Sequence, residues 1–115
     1  MENYLYHYKA ELIRCVDGDS AWMMLDLGFF HFSKKNIRLA RINTPEIRGS
    51  EKEKGKISFD AAENYYNLAS EIIISSNKFD SFGRVIAEVY LKINEDWINL
   101  NDRLVEENYA IYKKY

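Results

Sequence analysis

Apolar and polar positions along this chain fall into runs of two different periods. Tyr4 to Val16 alternates in part and is rich in aromatic and branched side chains, which predicts a strand. Asp17-Gly18-Asp19 carries turn chemistry. Ser20 to Leu27 resumes a strand, Gly28 permits a reversal, and Phe29 to Ile42 supplies a third strand with an irregular middle. Asn43-Thr44-Pro45 ends this meander, because proline has no N–H to give to a ladder. Residues 47–57 are charged, contain Gly49 and Gly55, and read as an exposed loop.

The period then lengthens. With Ser58 as N-cap, Phe59, Ala62, Tyr65/Tyr66 and Ala69 recur at three- to four-residue spacing and form one apolar helix face. Ile72-Ile73-Ile74 within Glu71–Ser75 predicts a strand, and Asn77 to Gly83 a polar turn. Val85, Ala87, Val89 and Leu91 alternate within a further strand, Arg84 to Ile93. Asn94-Glu95-Asp96 is a tight turn, with Trp97-Ile98 returning. A second helix is expected to start near Asn99 and to bury Leu100, Leu104 and Val105. The order β-β-β-α-β-β-α is that of a five-stranded OB-fold β-barrel with two helices, a mainly β protein with α (α+β).

Composition narrows the class. At 115 residues the expectation is one domain over residues 1–115. With 30% charged and 47% hydrophobic residues, the chain falls among soluble globular proteins. One cysteine, Cys15, excludes an intrachain disulfide and reads as a small buried apolar residue. No apolar run approaches the ~18 residues of a membrane helix. No secretory leader follows Met1. A cytoplasmic location without a membrane partner is therefore expected. The net charge of −2 and a pI near 5.7 count against a strongly basic nucleic-acid footprint. The charge is uneven, however. Residues 33–56 hold eight Lys/Arg against three Glu, an excess of +5, and the rest of the chain carries −7.

Three short segments carry chemistry. The two carboxylates of Asp17-Gly18-Asp19 can face one side of a tight loop, as oxygen ligands for a hard cation do. In RLARINTPE, Arg38 to Glu46, an arginine interrupts an apolar strand. Asn43 adds a side-chain oxygen, Thr44 a backbone carbonyl and Glu46 a carboxylate. That set suits phosphodiester hydrolysis. The arginine grips phosphate, a metal polarises it, and the carboxylate takes a proton from water. In Asp80-Ser81-Phe82-Gly83-Arg84, a second arginine leaves a turn at the start of a strand, where it can offset charge on a reacting phosphate. His7 and His31 have no partner spacing and read as strand-face residues. Lys52, Lys54 and Lys56 interleave with Glu51 and Glu53 as a solvated loop.

In this order, DGDS at Asp17–Ser20, RLARINTPE at Arg38–Glu46 and DSFGR at Asp80–Arg84 resemble the signature of the staphylococcal nuclease (thermonuclease-like) family. The resemblance extends over roughly Leu12 to Tyr112. It implies a Ca²⁺-dependent endonuclease that hydrolyses phosphodiester bonds of DNA and RNA with little sequence preference and leaves 3′-phosphate ends. It further implies that Asp19 is a direct Ca²⁺ ligand beside the Thr44 carbonyl, with Asp17 in the outer shell. Glu46 would be the general base, and Arg38 and Arg84 would hold the scissile phosphate.

Two positions depart from that pattern. Asn43 stands where the family usually has an acidic metal ligand, which keeps an oxygen but removes a charge and lowers the expected Ca²⁺ affinity. Phe82 replaces a tyrosine. The alternative reading is therefore an OB-fold nucleic-acid- or protein-binding module whose catalysis is weakened or lost through Asn43. Asp19, Arg38, Glu46 and Arg84 together favour the enzyme, since a pure binder has no need of the base.

Overall fold

The computed structural model describes residues 5–113. Its strands are β1 (His7–Asp17), β2 (Ser20–Asp26), β3 (Phe32–Leu39), β4 (Ile42–Asn43), β5 (Glu71–Phe79), β6 (Val85–Ile93), β7 (Asp96–Asn99) and β8 (Ile111–Tyr112). Its helices are α1 (Lys52–Leu68) and α2 (Leu100–Glu106). Strands β3-β2-β1-β5-β6 pair antiparallel in that order. A short parallel pairing of β3 with β6 then closes the ring, with Ile37 opposite Val85 and Leu39 opposite Ala87. This is a closed five-stranded mixed barrel of the expected OB type. Strand β7 folds back on β6, and β4 pairs with β8 outside the ring.

The barrel closes because its inward positions are apolar. Met23, Ile37, Leu39, Ile74, Val89 and Leu91 are all fully buried, and outward neighbours alternate with them. Cys15 is buried as expected, and burial, then the charge of Glu63, pushes its thiol up to about 12, so it is inert as a nucleophile. Asn101 is fully buried and satisfied. Its Oδ1 accepts from Val89 N at 3.0 Å, and its Nδ2 donates to Ala40 O and Ala87 O at 2.9 and 3.0 Å. It therefore locks α2 to β6 and to the turn after β3.

Several boundaries differ from the pattern-based reading. Helix α1 begins at Lys52, inside the stretch expected to be loop, after a 3₁₀ turn at Gly49–Glu51. Ser58 is not an N-cap. It lies buried inside α1, and its Oγ donates to Tyr109 O at 2.6 Å. The buried face of α1 is Gly55, Ser58, Ala62 and Tyr66, and the expected Phe59, Tyr65 and Ala69 pack against the core beside it. The expected strand from Phe29 to Ile42 is broken at both ends. Phe29 and Phe30 sit in the β2–β3 turn at positive φ, and Arg41 (φ 67°) reverses the chain before β4. Strand β5 continues to Phe79, past the expected turn start. The predicted start of the first strand at Tyr4 lies outside the described residues. His31 is exposed in the β2–β3 turn rather than on a strand face, while His7 stacks on Tyr90. The start of α2 is as expected: the Asn99 side chain caps it by accepting from Asp102 N at 2.9 Å.

Candidate functional site

The β1–β2 turn, the β3–β4 corner and the N-terminal half of α1 meet at one edge of the barrel. Each approach depends on a small residue. A Cβ on Gly18 would come within 3.0 Å of Ser58 Cβ and 3.1 Å of Thr44 Cγ2. One on Gly55 would lie 2.0 Å from Glu46 O, so the backbone of Glu46 crosses α1 where only glycine fits. Leu39 N donates to Asp19 O at 2.8 Å, which ties the turn to the end of β3.

Within that frame the Asp19 carboxylate is buried, only 7% exposed as a residue. Its Oδ2 accepts from Thr44 N at 3.0 Å and lies 3.5 Å from Arg38 Nη2. Arg38 is buried as well. Its Nη1 donates to Leu39 O at 2.7 Å, and its Nη2 to Ile42 O at 3.0 Å and Asn43 Oδ1 at 3.2 Å. The arginine thus binds the corner it sits in, satisfying carbonyls that the Arg41 reversal turns inward. Asn43 thus meets Arg38 through an accepting side-chain oxygen.

Asp17 is half-buried at the mouth of this cluster. Burial, and next the neighbouring carboxylates of Asp19 and Glu46, push its carboxyl above the ordinary range, while Arg38 and Arg48 act against them. These influences group Asp17, Asp19, Glu46, Arg38 and Arg48 at one place. Glu46 itself is exposed. Arg84 reaches the same side of the barrel by a different route. Its Nε is held by Asp80 Oδ2 at 2.6 Å, and Asp80 Oδ1 accepts from the backbone N–H groups of Phe82 and Arg84 at 2.9 Å each. Its guanidinium stands 5.7 Å from the Phe82 ring centroid, so Phe82 braces the turn. The contacts of Arg84 are within its own turn. What brings it towards Arg38 is the parallel β3–β6 register, in which Val85 lies opposite Ile37.

Whether a hard cation fits can be judged from the donors. The available atoms are oxygens: the Asp19 carboxylate, the Thr44 carbonyl and the Asp17 carboxylate. Thr44 Oγ1 is buried with no hydrogen-bond partner, an uncommon state that a nearby ligand relieves. Among the described residues no three His, Cys, Asp or Glu side chains converge into a cage. An all-oxygen set of this kind would suit a hard cation rather than a soft metal.

Two features of this site escaped the linear reading. Arg48 has no local signal that places it beside Asp17. Gly55 did leave one, since a glycine inside a helical segment costs stability and usually marks a close approach. Arg41, by contrast, is structural. It makes bonds of 2.7 and 2.6 Å to Glu88 and lies 3.0 Å from Asp102.

A model of the family described as "Staphylococcal nuclease homologue" matches residues 36–115. That stretch contains Arg38, Asn43, Thr44, Glu46 and Arg84 and begins after the Asp17–Asp19 turn. The chain is also similar to the uncharacterized protein MJ1439 of Methanocaldococcus jannaschii, at 25% identity over 126 residues. The match covers 90% of this chain and 58% of that relative, so the chain spans little more than half of the relative's length.

Proposed function

The chain belongs to the staphylococcal nuclease homologue family, and on that premise we propose that it is a Ca²⁺-dependent nuclease hydrolysing phosphodiester bonds of DNA or RNA. The observation that carries this reading is the buried Asp19 carboxylate, fixed by Thr44 N and Arg38, with the exposed Glu46 close enough to act on the neighbouring Asp17. A packed domain gains nothing from that arrangement, because burying an ion pair costs desolvation.

Asp19 and the Thr44 carbonyl would hold the cation directly, with Asn43 as a neutral neighbour and Asp17 behind them. When bound, the ion supplies polarisation of the phosphate. Glu46 accepts a proton from water, and the water oxygen forms its bond to phosphorus as the bond to the 5′ oxygen breaks. That oxygen leaves as a hydroxyl after taking a proton from solvent, and the phosphate stays on the 3′ side. Arg84 donates to the phosphate through its two Nη groups, since Asp80 engages Nε. Arg38, whose Nη groups donate to Leu39 O, Ile42 O and Asn43 Oδ1, keeps Asp19 in place and adds its positive charge behind the phosphate.

One observation favours a binding-only reading: Asn43 Oδ1 faces Arg38 and brings no charge to the metal site. The deciding experiment is cleavage of single-stranded DNA and RNA with Ca²⁺ or with chelator. Cleavage should need Ca²⁺, and Glu46→Gln should lose about 10²–10⁴-fold in rate. Full activity in Glu46→Gln, or none in the parent protein, overturns the enzyme reading. Binding without cleavage would establish the module.

A further inference from the structure

The outer face of the barrel continues away from Arg84 as a row that crosses four strands. On β1 and β2, Arg14 pairs with Trp22, and on β2 and β3, Trp22 pairs with Asn36. One step beyond the Ile37–Val85 pair, the parallel register sets Asn36 beside Arg84. Facing residues in paired strands share a side of the sheet. Cys15, Ala21, Ile37 and Val85 are buried in the barrel, so their sequence neighbours Arg14, Trp22, Asn36 and Arg84 point outward. With strands about 4.8 Å apart, the row is about 14 Å long.

Its chemistry is an aromatic plate among cations. Trp22 is partly exposed, and Lys34 Nζ lies 5.2 Å from its ring centroid. Arg14 and Lys34 are exposed. Asn36, in the middle of the row, has a buried Oδ1 with no hydrogen-bond partner. Of the acids on the outer face of these three strands, Glu11 and Asp26 sit towards the far end of the hairpin, where Glu11 pairs with Met24 and Asp26 with Lys9 and Phe32, while Asp17 lies at the near end opposite Ser20. The row itself carries two arginines and no acid, with Asp80 engaging Arg84 from its own turn. A packed sheet face has no need of a tryptophan under a lysine between two arginines. Single-stranded nucleic acid does use that combination: a π-face for an unpaired base and cations for the flanking phosphates.

We propose that the Arg14–Trp22–Asn36–Arg84 row is a platform for the substrate strand, with one unpaired base stacked on Trp22 and its neighbouring phosphates on Lys34 and Arg14. This rests on the nuclease reading and deepens it, because stacking selects single-stranded over duplex substrate. On binding, Lys34 moves from the indole to a phosphate, and the base takes its place over the ring.

The test is made in chelator, so that cleavage plays no part. In a Trp97→Phe background Trp22 is the sole indole. Oligo-dT and oligo-U of about twelve nucleotides should quench its fluorescence, while a duplex of equal length and a dinucleotide should quench it far less. Trp22→Ala should weaken binding of the long single strand at least about tenfold, and Trp22→Tyr should restore most of it. Lys34→Gln should flatten the salt dependence of binding by about one ion. Thermal melts of both variants check that they are folded. Equal binding by Trp22→Ala and parent, or equal quenching by duplex, overturns the platform even if cleavage is intact. Absent cleavage with retained quenching overturns the nuclease reading and leaves the platform standing.

Discussion

Two arginine–carboxylate pairs stand on opposite sides of the β3–β6 seam, and they are built differently. Arg84 and Asp80 meet at 2.6 Å, with side chains 32% and 16% exposed. Arg38 and Asp19 are 3.5 Å apart, with side chains 8% and 10% exposed. The shorter pair is the more local. Asp80 ties its own turn through two backbone N–H groups and one Nε. The longer pair is embedded in a network that spans the β1–β2 turn, the end of β3 and β4. Distance therefore misranks them. Exposure and the number of elements joined decide which pair the fold depends on, and which arginine keeps donors for a substrate.

That contrast sets what each substitution should do. The largest effect belongs to Arg38→Met. It removes the cation from a buried carboxylate and strands two carbonyls, so urea unfolding should show a loss of about 3–5 kcal/mol. A loss under about 1 kcal/mol, the figure for an exposed pair, would erase the distinction. Next comes Arg84→Ala, which should cut the rate of Ca²⁺-dependent cleavage by about 10²–10³-fold while urea unfolding changes little. If stability fell as far as for Arg38→Met, the turn would be part of the frame and not a presenter of one arginine.

The smallest effect belongs to Asp80→Asn, which should cost less than about 1 kcal/mol and show itself in acid. Burial raises the Asp80 carboxyl, but the Arg84 backbone N–H, the Arg84 guanidinium and the Phe82 N–H outweigh it and hold it below the usual value. An acid with a depressed folded value stabilises the fold above its unfolded pKa, about 3.9. That stabilisation is lost as pH falls through the lower folded value. Urea unfolding compared between pH 6 and about pH 3 should therefore show a smaller acid-induced loss in Asp80→Asn than in the parent.

Much of this was legible in linear order. Alternation in Ser20–Leu27 and Arg84–Ile93 marks real strands, because one face of each lies inside the barrel. Asn99 announces α2, since an N-cap acts on residues two and three positions on. The start of α1 was hidden. Lys52 to Lys56 is charged and exposed apart from Gly55, and charged residues support helix as readily as loop when their helix packs through glycine and serine. Strand β8 was hidden too, because two residues pairing with β4 have no period to read.

For the candidate site, the sequence by itself determined the kinds of group available: Asp17 and Asp19 on one turn, Arg38 and Glu46 eight residues apart, Asp80 and Arg84 on another. Residue type and local spacing dictate turn geometry and possible chemistry, and these are short-range properties. Only the tertiary structure decided that Arg38 turns inward onto Leu39 O, Ile42 O and Asn43 while Arg84 stays at the surface. Likewise, only the β3–β6 closure placed Asn36 and Trp22 in line with Arg84. Strand register and burial arise from pairing between segments tens of residues apart, and no local pattern encodes which oxygens a buried guanidinium will find.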